Sequence, residues 1–261
     1  MTRVEAQSPS SERVLGVSFF NGTAADALER LRTAGGLMVA PASPALLNLK
    51  FDEGYRRALR QADIALPDSA LLTALWKLRA GRTVRKVSGL AYLKALLASR
   101  EIDSPGDAAF VVRSQEEKEK ARSYLTGAGA SVPDDAFFVI ADDGTGEGEN
   151  HALLLKLEER RPRHVIIALR SGGQEKLGLY LREYLLYRPC IHCVGAALGF
   201  LTGAEGAIPP WAEQHQLGWL ARLFAQPKMI LPRIGIAATI AGMVFKYGSE
   251  LPPLRTRWSD L

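Results

Sequence analysis

At 261 residues, 47% hydrophobic and 23% charged, the chain is long enough to bury a substantial core and too apolar for a disordered one. A net charge of +5 and a pI near 9.3 suit phosphate-rich ligands or an anionic membrane surface, and ordinary surface charge equally well. Residues 1–12 are polar and lack the apolar core of a secretory signal, so they are expected to form a disordered tail on a cytoplasmic protein.

In chain order, Arg13-Val-Leu-Gly-Val-Ser-Phe19 reads as a first strand. Thr23-Ala-Ala-Asp26 opens a helix with a capping box, leucines on one face and Gly35-Gly36 as its stop. Leu37–Ala40 is a short buried strand. One helix is predicted from about Pro44 to Ala62, because Leu46, Leu47, Phe51, Tyr55 and Leu59 recur at helical spacing. Ile64–Leu66 is the next strand, ending at Asp68. Ala108–Val112, Ala136–Ala141 and His164–Leu169 are continuous apolar runs, the mark of strands covered on both faces. Charged helical segments, Ser114–Arg122 and Glu149–Arg161, separate them. The alternation predicts an α/β fold, a Rossmann-like parallel sheet with helices on both faces, continued by Ile191–Ala196. Residues 13–227 read as the core and residues 228–261 as a C-terminal helical appendage.

In open sheets of this kind, ligands bind beyond the carboxyl ends of the strands. Asp68 falls there, and so does Arg170-Ser-Gly-Gly-Gln-Glu175. Asp68 has two readings: a cap for the helix that starts near Ser69, or a general base that takes a proton from a substrate hydroxyl. Gly172 and Gly173 let backbone N–H groups approach an anion at a helix start, and Arg170 adds positive charge beside them. The turn is neither a Walker loop nor a full dinucleotide fingerprint, which opposes a Rossmann-type cofactor enzyme. Asp142–Glu149 clusters carboxylates without an Asp-x-Asp or calcium-loop spacing, so a solvated turn is expected and no metal. Cys190 and Cys193 have the spacing of a redox pair or half a zinc site. His151, His164, His192 and His215 are scattered singly, however, and the segment leads into a strand-like run, so buried thiols are expected.

Leu66-Pro-Asp-Ser69, Arg170–Glu175 and Gly203–Lys228 together resemble the WecG/TagA/CpsF glycosyltransferases, and the resemblance runs from about Arg13 to Lys228. Val14–Phe19 looks like the family's opening strand. Ala62-Asp-Ile-Ala-Leu-Pro-Asp-Ser69 is similar to its Pro-Asp-Gly element, whose Asp is the proposed base; this carries onto Asp68, with Ser69 beside it as a substrate contact. Val87–Leu93 matches the following glycine turn and supports Gly89. Ile167–Glu175 resembles the nucleotide-side loop Gly-x-Pro-Lys-Gln-Glu, so Gln174 and Glu175 carry over, with Arg170, Gly172 and Gly173 in the same loop. Pro-x-Trp, Trp-Leu and Arg-Leu elements carry onto Pro209, Trp211, Trp219 and Arg222, of which Trp211 and Arg222 are substrate-binding candidates. The departures are specific. Ala40-Pro-Ala42 replaces Thr-x-Asn, Leu198-Gly199 replaces Phe-Asp, Ala207 replaces an Arg and Gly218 a Glu. Arg170 is read as replacing the charge missing at Ala207.

The resemblance implies an inverting, metal-independent transfer from a UDP-sugar to a sugar on polyprenyl diphosphate, in cell-surface or exopolysaccharide assembly. It implies no cofactor and no nucleic-acid partner, and leaves homo-oligomerisation open. A catalytically degenerate UDP-sugar or lipid-diphosphate binding protein is the alternative. In the tail, Ile234–Phe245 is too short to span a bilayer, and Lys228, Arg233, Lys246, Arg255, Arg257 and Trp258 flank it. That pattern suits either a helix lying on the inner face of the plasma membrane or a last helix packed on the core. The resemblance favours the membrane.

Overall fold

The computed structural model describes residues 10–140, 146–204 and 230–255. Eight strands form one sheet: β1 (Ser10–Val14), β2 (Val17–Asn21), β3 (Gly36–Val39), β4 (Ile64–Ala65), β5 (Ala108–Val112), β6 (Phe137–Val139), β7 (His164–Ile167) and β8 (Cys190–Cys193). Their spatial order is β1-β2-β4-β3-β8-β7-β5-β6. β1 and β2 pair antiparallel and every other pairing is parallel, so the carboxyl ends of β2 to β8 share one edge.

Alternation along the strands divides the core between the two faces. Met38, Ile64, Phe110 and Ile166 point to the face covered by α1 (Ala24–Ala34), α4 (Gly89–Ala98), α5 (Gln115–Gly127) and α8 (Ala196–Thr202). Leu37, Val39, Val165, Ile167 and Ile191 point to the other, under α2 (Glu53–Gln61), α3 (Ala70–Ala80), α6 (Glu147–Arg160), α7 (Gly173–Tyr184) and α9 (Ile230–Tyr247). Both faces are covered, which is why the strands read as unbroken apolar runs. Gly178 brings α7 down onto the sheet: a Cβ there would lie 2.7 Å from Leu37 Cδ1 and 2.8 Å from Cys193 Sγ.

The structure corrects the element boundaries in two places. The expected first strand spans the turn of a hairpin, reversing at Leu15 and Gly16, whose φ angles of 51° and 78° suit a tight two-residue reversal. Ser10–Glu12, expected in the tail, belong to β1. The helix expected from Pro44 to Ala62 is two elements, a 3-10 helix over Ser43–Lys50 and then α2. The break comes at Asp52, whose carboxylate accepts from Tyr55 N–H at 2.9 Å and starts α2 afresh.

The C-terminal helix is docked. Ile240, Met243 and Val244 of α9 are buried in the core against α3 and the 3-10 helix. Leu15 and Gly16 donate their N–H groups to the carbonyls of Gly248 and Ser249 at 2.8 and 3.0 Å. The opposite face of α9 leaves Ile234 and Phe245 59% and 46% exposed, with Gly235, Ala238 and Gly242 between them. Among the described residues, no helix is long and apolar enough to cross a membrane.

Candidate active site at the strand ends

Leu66 and Pro67 carry the chain from the end of β4 to Asp68, which is half-buried. The helix cap comes from the next residue: the Ser69 hydroxyl accepts from Leu72 N–H at 2.9 Å and contacts the Ser43 hydroxyl. Ser69 is therefore buried and its hydroxyl occupied, and α3 starts without needing the Asp68 carboxylate. Val87 N–H donates to the Pro67 carbonyl at 3.3 Å, which holds the segment leading into α4 beside the end of β4. Gly89 begins α4 below Asp68. A Cβ there would lie 3.6 Å from Asp68 Oδ2, 3.5 Å from Ala40 Cβ and 3.6 Å from the Val194 carbonyl oxygen. The ends of β3, β4 and β8 thus converge on this carboxylate.

Lys86 joins them. Burial pushes its ammonium pKa down, and the Asp68 charge opposes that shift. Sequence reasoning missed this lysine because nothing distinguishes it from its neighbours Arg82 and Arg85; its one signal is a place three residues before Gly89.

The Arg170–Glu175 turn follows β7 and starts α7, with Gly172 at a φ of 100°. Arg170 is exposed. Glu175 is fully buried, and its carboxylate accepts from Gly172 N–H at 2.6 Å, the Ser171 hydroxyl at 3.0 Å and Gln174 Nε2 at 3.1 Å. Burial raises its pKa, and these hydrogen bonds oppose the rise. Gln174 N–H is also taken, by the Arg170 carbonyl at 3.1 Å. Backbone donors expected to meet an incoming anion are thus serving the chain itself: Gly172 holds Glu175, and Glu175 clamps the turn. Gln174 differs. Its Nε2 is fixed on Glu175, while its Oε1 is buried with no hydrogen-bond partner among the described residues. That amide lies against Gly195 at the end of β8, where a Cβ would come 3.1 Å from Nε2.

At the ends of β5, β7 and β8 is a small crevice lined by Arg113, Glu117, Ala168, Gly195, Leu198, Gly199 and Thr202. Arg113 is ion-paired with Glu117, and its N–H donates to Glu117 Oε2 at 3.0 Å. Gly199 lines this crevice, and Ala40 lies against Gly89. Trp211 and Arg222 lie outside the described residues, as do Ala207, Gly218, Asp142 and Asp143. Cys190 and Cys193 are free, buried and directed to opposite faces of the sheet, so they form neither a disulfide nor a shared chelate.

The family model for the glycosyl transferase WecG/TagA/CpsF family matches residues 12–251. The chain belongs to this family. No curated protein shows a significant match to it. As a WecG/TagA/CpsF member it is a glycosyltransferase of cell-surface polymer synthesis, a class that works with a sugar-nucleotide donor and a lipid-linked acceptor. The match reaches Leu251 and so includes the docked helix α9.

Proposed function

We propose that this glycosyltransferase moves a sugar from a UDP-sugar to a hydroxyl of a polyprenyl-diphosphate-linked sugar, inverting the anomeric centre without a metal, with Asp68 as the general base. The observation that carries this is the placement of Asp68 at a strand carboxyl end, above Gly89 and beside Lys86, while Ser69 caps the helix. The carboxylate takes the acceptor proton as the oxygen attacks the anomeric carbon, and UDP leaves from the opposite face. Gln174 Oε1 is suited to accept from a donor N–H or hydroxyl, since a buried acceptor gains most when its partner arrives. With the Gly172 amide occupied, charge developing on UDP falls to side chains: Arg170 and Arg113 on the nucleotide side, Lys86 nearer the base. Substrate contacts from Trp211 and Arg222 remain part of the proposal. The exposed apolar strip of α9 would rest on the inner face of the plasma membrane, where the acceptor is presented.

The occupied Gly172 amide and the alanine at position 40 favour one other reading, a binding protein that takes up UDP-sugars without turnover. Radiolabelled UDP-glucose and UDP-N-acetylmannosamine, incubated with membrane lipid extract, separate the two. Label is expected in a lipid-soluble product, at least about 100-fold less with Asp68→Asn and with UDP binding intact. Equal turnover by Asp68→Asn rejects the base; UDP binding with no turnover from either donor supports the binding protein.

A further inference from the structure

The four histidines look isolated in sequence, but the sheet brings two of them together. The parallel register sets His164 beside Cys190 and Ile166 beside His192, and all three polar side chains point to the face under α1 and α4. His164 Nδ1 lies 3.0 Å from His192 Nε2, and one ligand atom from each of His164, Cys190 and His192 lies within 4.8 Å of the others. Both histidines are 0% exposed and Cys190 is 3% exposed. The outer ring nitrogens are met as well. His192 Nδ1 is 2.9 Å from the Tyr92 hydroxyl, and His164 Nε2 faces Glu101 Oε2 at 3.4 Å without completing a hydrogen bond.

We propose that His164 Nδ1, His192 Nε2 and Cys190 Sγ form a binding site for a zinc-class divalent cation, on the face of β7 and β8 covered by α1 and α4 and apart from Asp68 at the strand ends. Imidazole nitrogen and thiolate sulfur are the donor set such an ion takes, at about 2.0–2.1 Å and 2.3 Å. Tetrahedral bonds of that length put two nitrogens roughly 3.3 Å apart, so the pair needs to open by only a few tenths of an ångström. Glu101 and Tyr92 then do what outer partners do in such centres, holding each ring by its other nitrogen. Three protein donors leave the fourth position to water.

The protonation states agree with the geometry. Burial brings His164 down to about 4 and His192 well below its ordinary value, so both rings are neutral near pH 7. Burial pushes the Cys190 thiol up to about 11, so uptake of the ion releases that proton to solvent. The expectation of buried thiols rests on histidines scattered along the chain, a spacing that does not carry the register of the folded sheet. The ion would tie β7 to β8 beneath α1 and α4 and take no part in the transfer.

Untagged full-length protein, expressed with zinc and dialysed, should carry about one zinc per chain by elemental analysis. Cys190→Ser should carry roughly tenfold less, while Cys193→Ser, altered on the other face, should match wild type. After removal of metal by chelator, cobalt(II) should give a thiolate charge-transfer band in wild type and Cys193→Ser that is absent in Cys190→Ser. Circular dichroism of each variant confirms folding. Zinc-free wild type with no cobalt band overturns the proposal and leaves the cluster as a hydrogen-bond chain from Tyr92 through His192 and His164 to Glu101. Equal zinc in Cys190→Ser overturns it too.

Discussion

Replacing Glu175 tests whether a buried carboxylate clamps the nucleotide-side turn. In Glu175→Ala three donors lose their acceptor. Ser171 is exposed and can turn to water, but Gly172 and Gln174 are buried and cannot. Two orphaned donors at about 1–3 kcal/mol each, less the relief of no longer burying a charge, give a loss of about 3 kcal/mol. Glu175→Gln keeps one oxygen for Gly172 and should cost about 1 kcal/mol. Urea denaturation followed by circular dichroism measures both. The pH dependence carries a sign. Burial raises the folded pKa above the ordinary 4.5, so this group's stabilisation is full below 4.5 and is lost as pH rises through the folded value. The stability of wild type relative to Glu175→Gln should therefore grow as pH falls from neutrality towards 4.5. An alanine variant within about 0.5 kcal/mol of wild type, or a pH-independent difference, refutes the clamp.

Gly178→Ala places a methyl against Leu37 and Cys193 and should cost about 1–3 kcal/mol by thermal or urea unfolding. Arg170→Ala should weaken UDP binding by about 1 kcal/mol, roughly fivefold in Kd by calorimetry, because the side chain is exposed and partly screened; unchanged affinity rejects its role. Truncation after residue 229 would remove core residues Ile240, Met243 and Val244 and so confound membrane binding with unfolding. Ile234→Glu with Phe245→Glu alters only the exposed strip of α9; liposome co-sedimentation should fall while the unfolding midpoint holds. Undiminished co-sedimentation removes the membrane reading.

The buried parallel strands were legible because continuous apolar runs separated by charged helical segments suit strands covered on both faces; Asp68 stands out at a strand end, and Gly89 and Gln174 through the family resemblance. Local chemistry hid the rest. Leu15-Gly16 sits inside an apolar run, so the hairpin read as one strand, and the helical spacing of Leu47, Phe51 and Tyr55 outweighed the single capping carboxylate of Asp52. Glycines at 172 and 173 announced an anion site, but no pattern says that the anion is the chain's own Glu175. Lys86 and the His164–His192 pair depend on contacts across loops and strands, which spacing along one chain does not encode.

The clasp between Leu15-Gly16 and Gly248-Ser249 joins segments far apart along the chain. Until the ribosome has released α9, the apolar surface that will receive it on α3 and the 3-10 helix stays uncovered on the nascent chain. Closure of this part of the core therefore waits on α9, and a nascent chain that stops short of it keeps that apolar surface open to solvent.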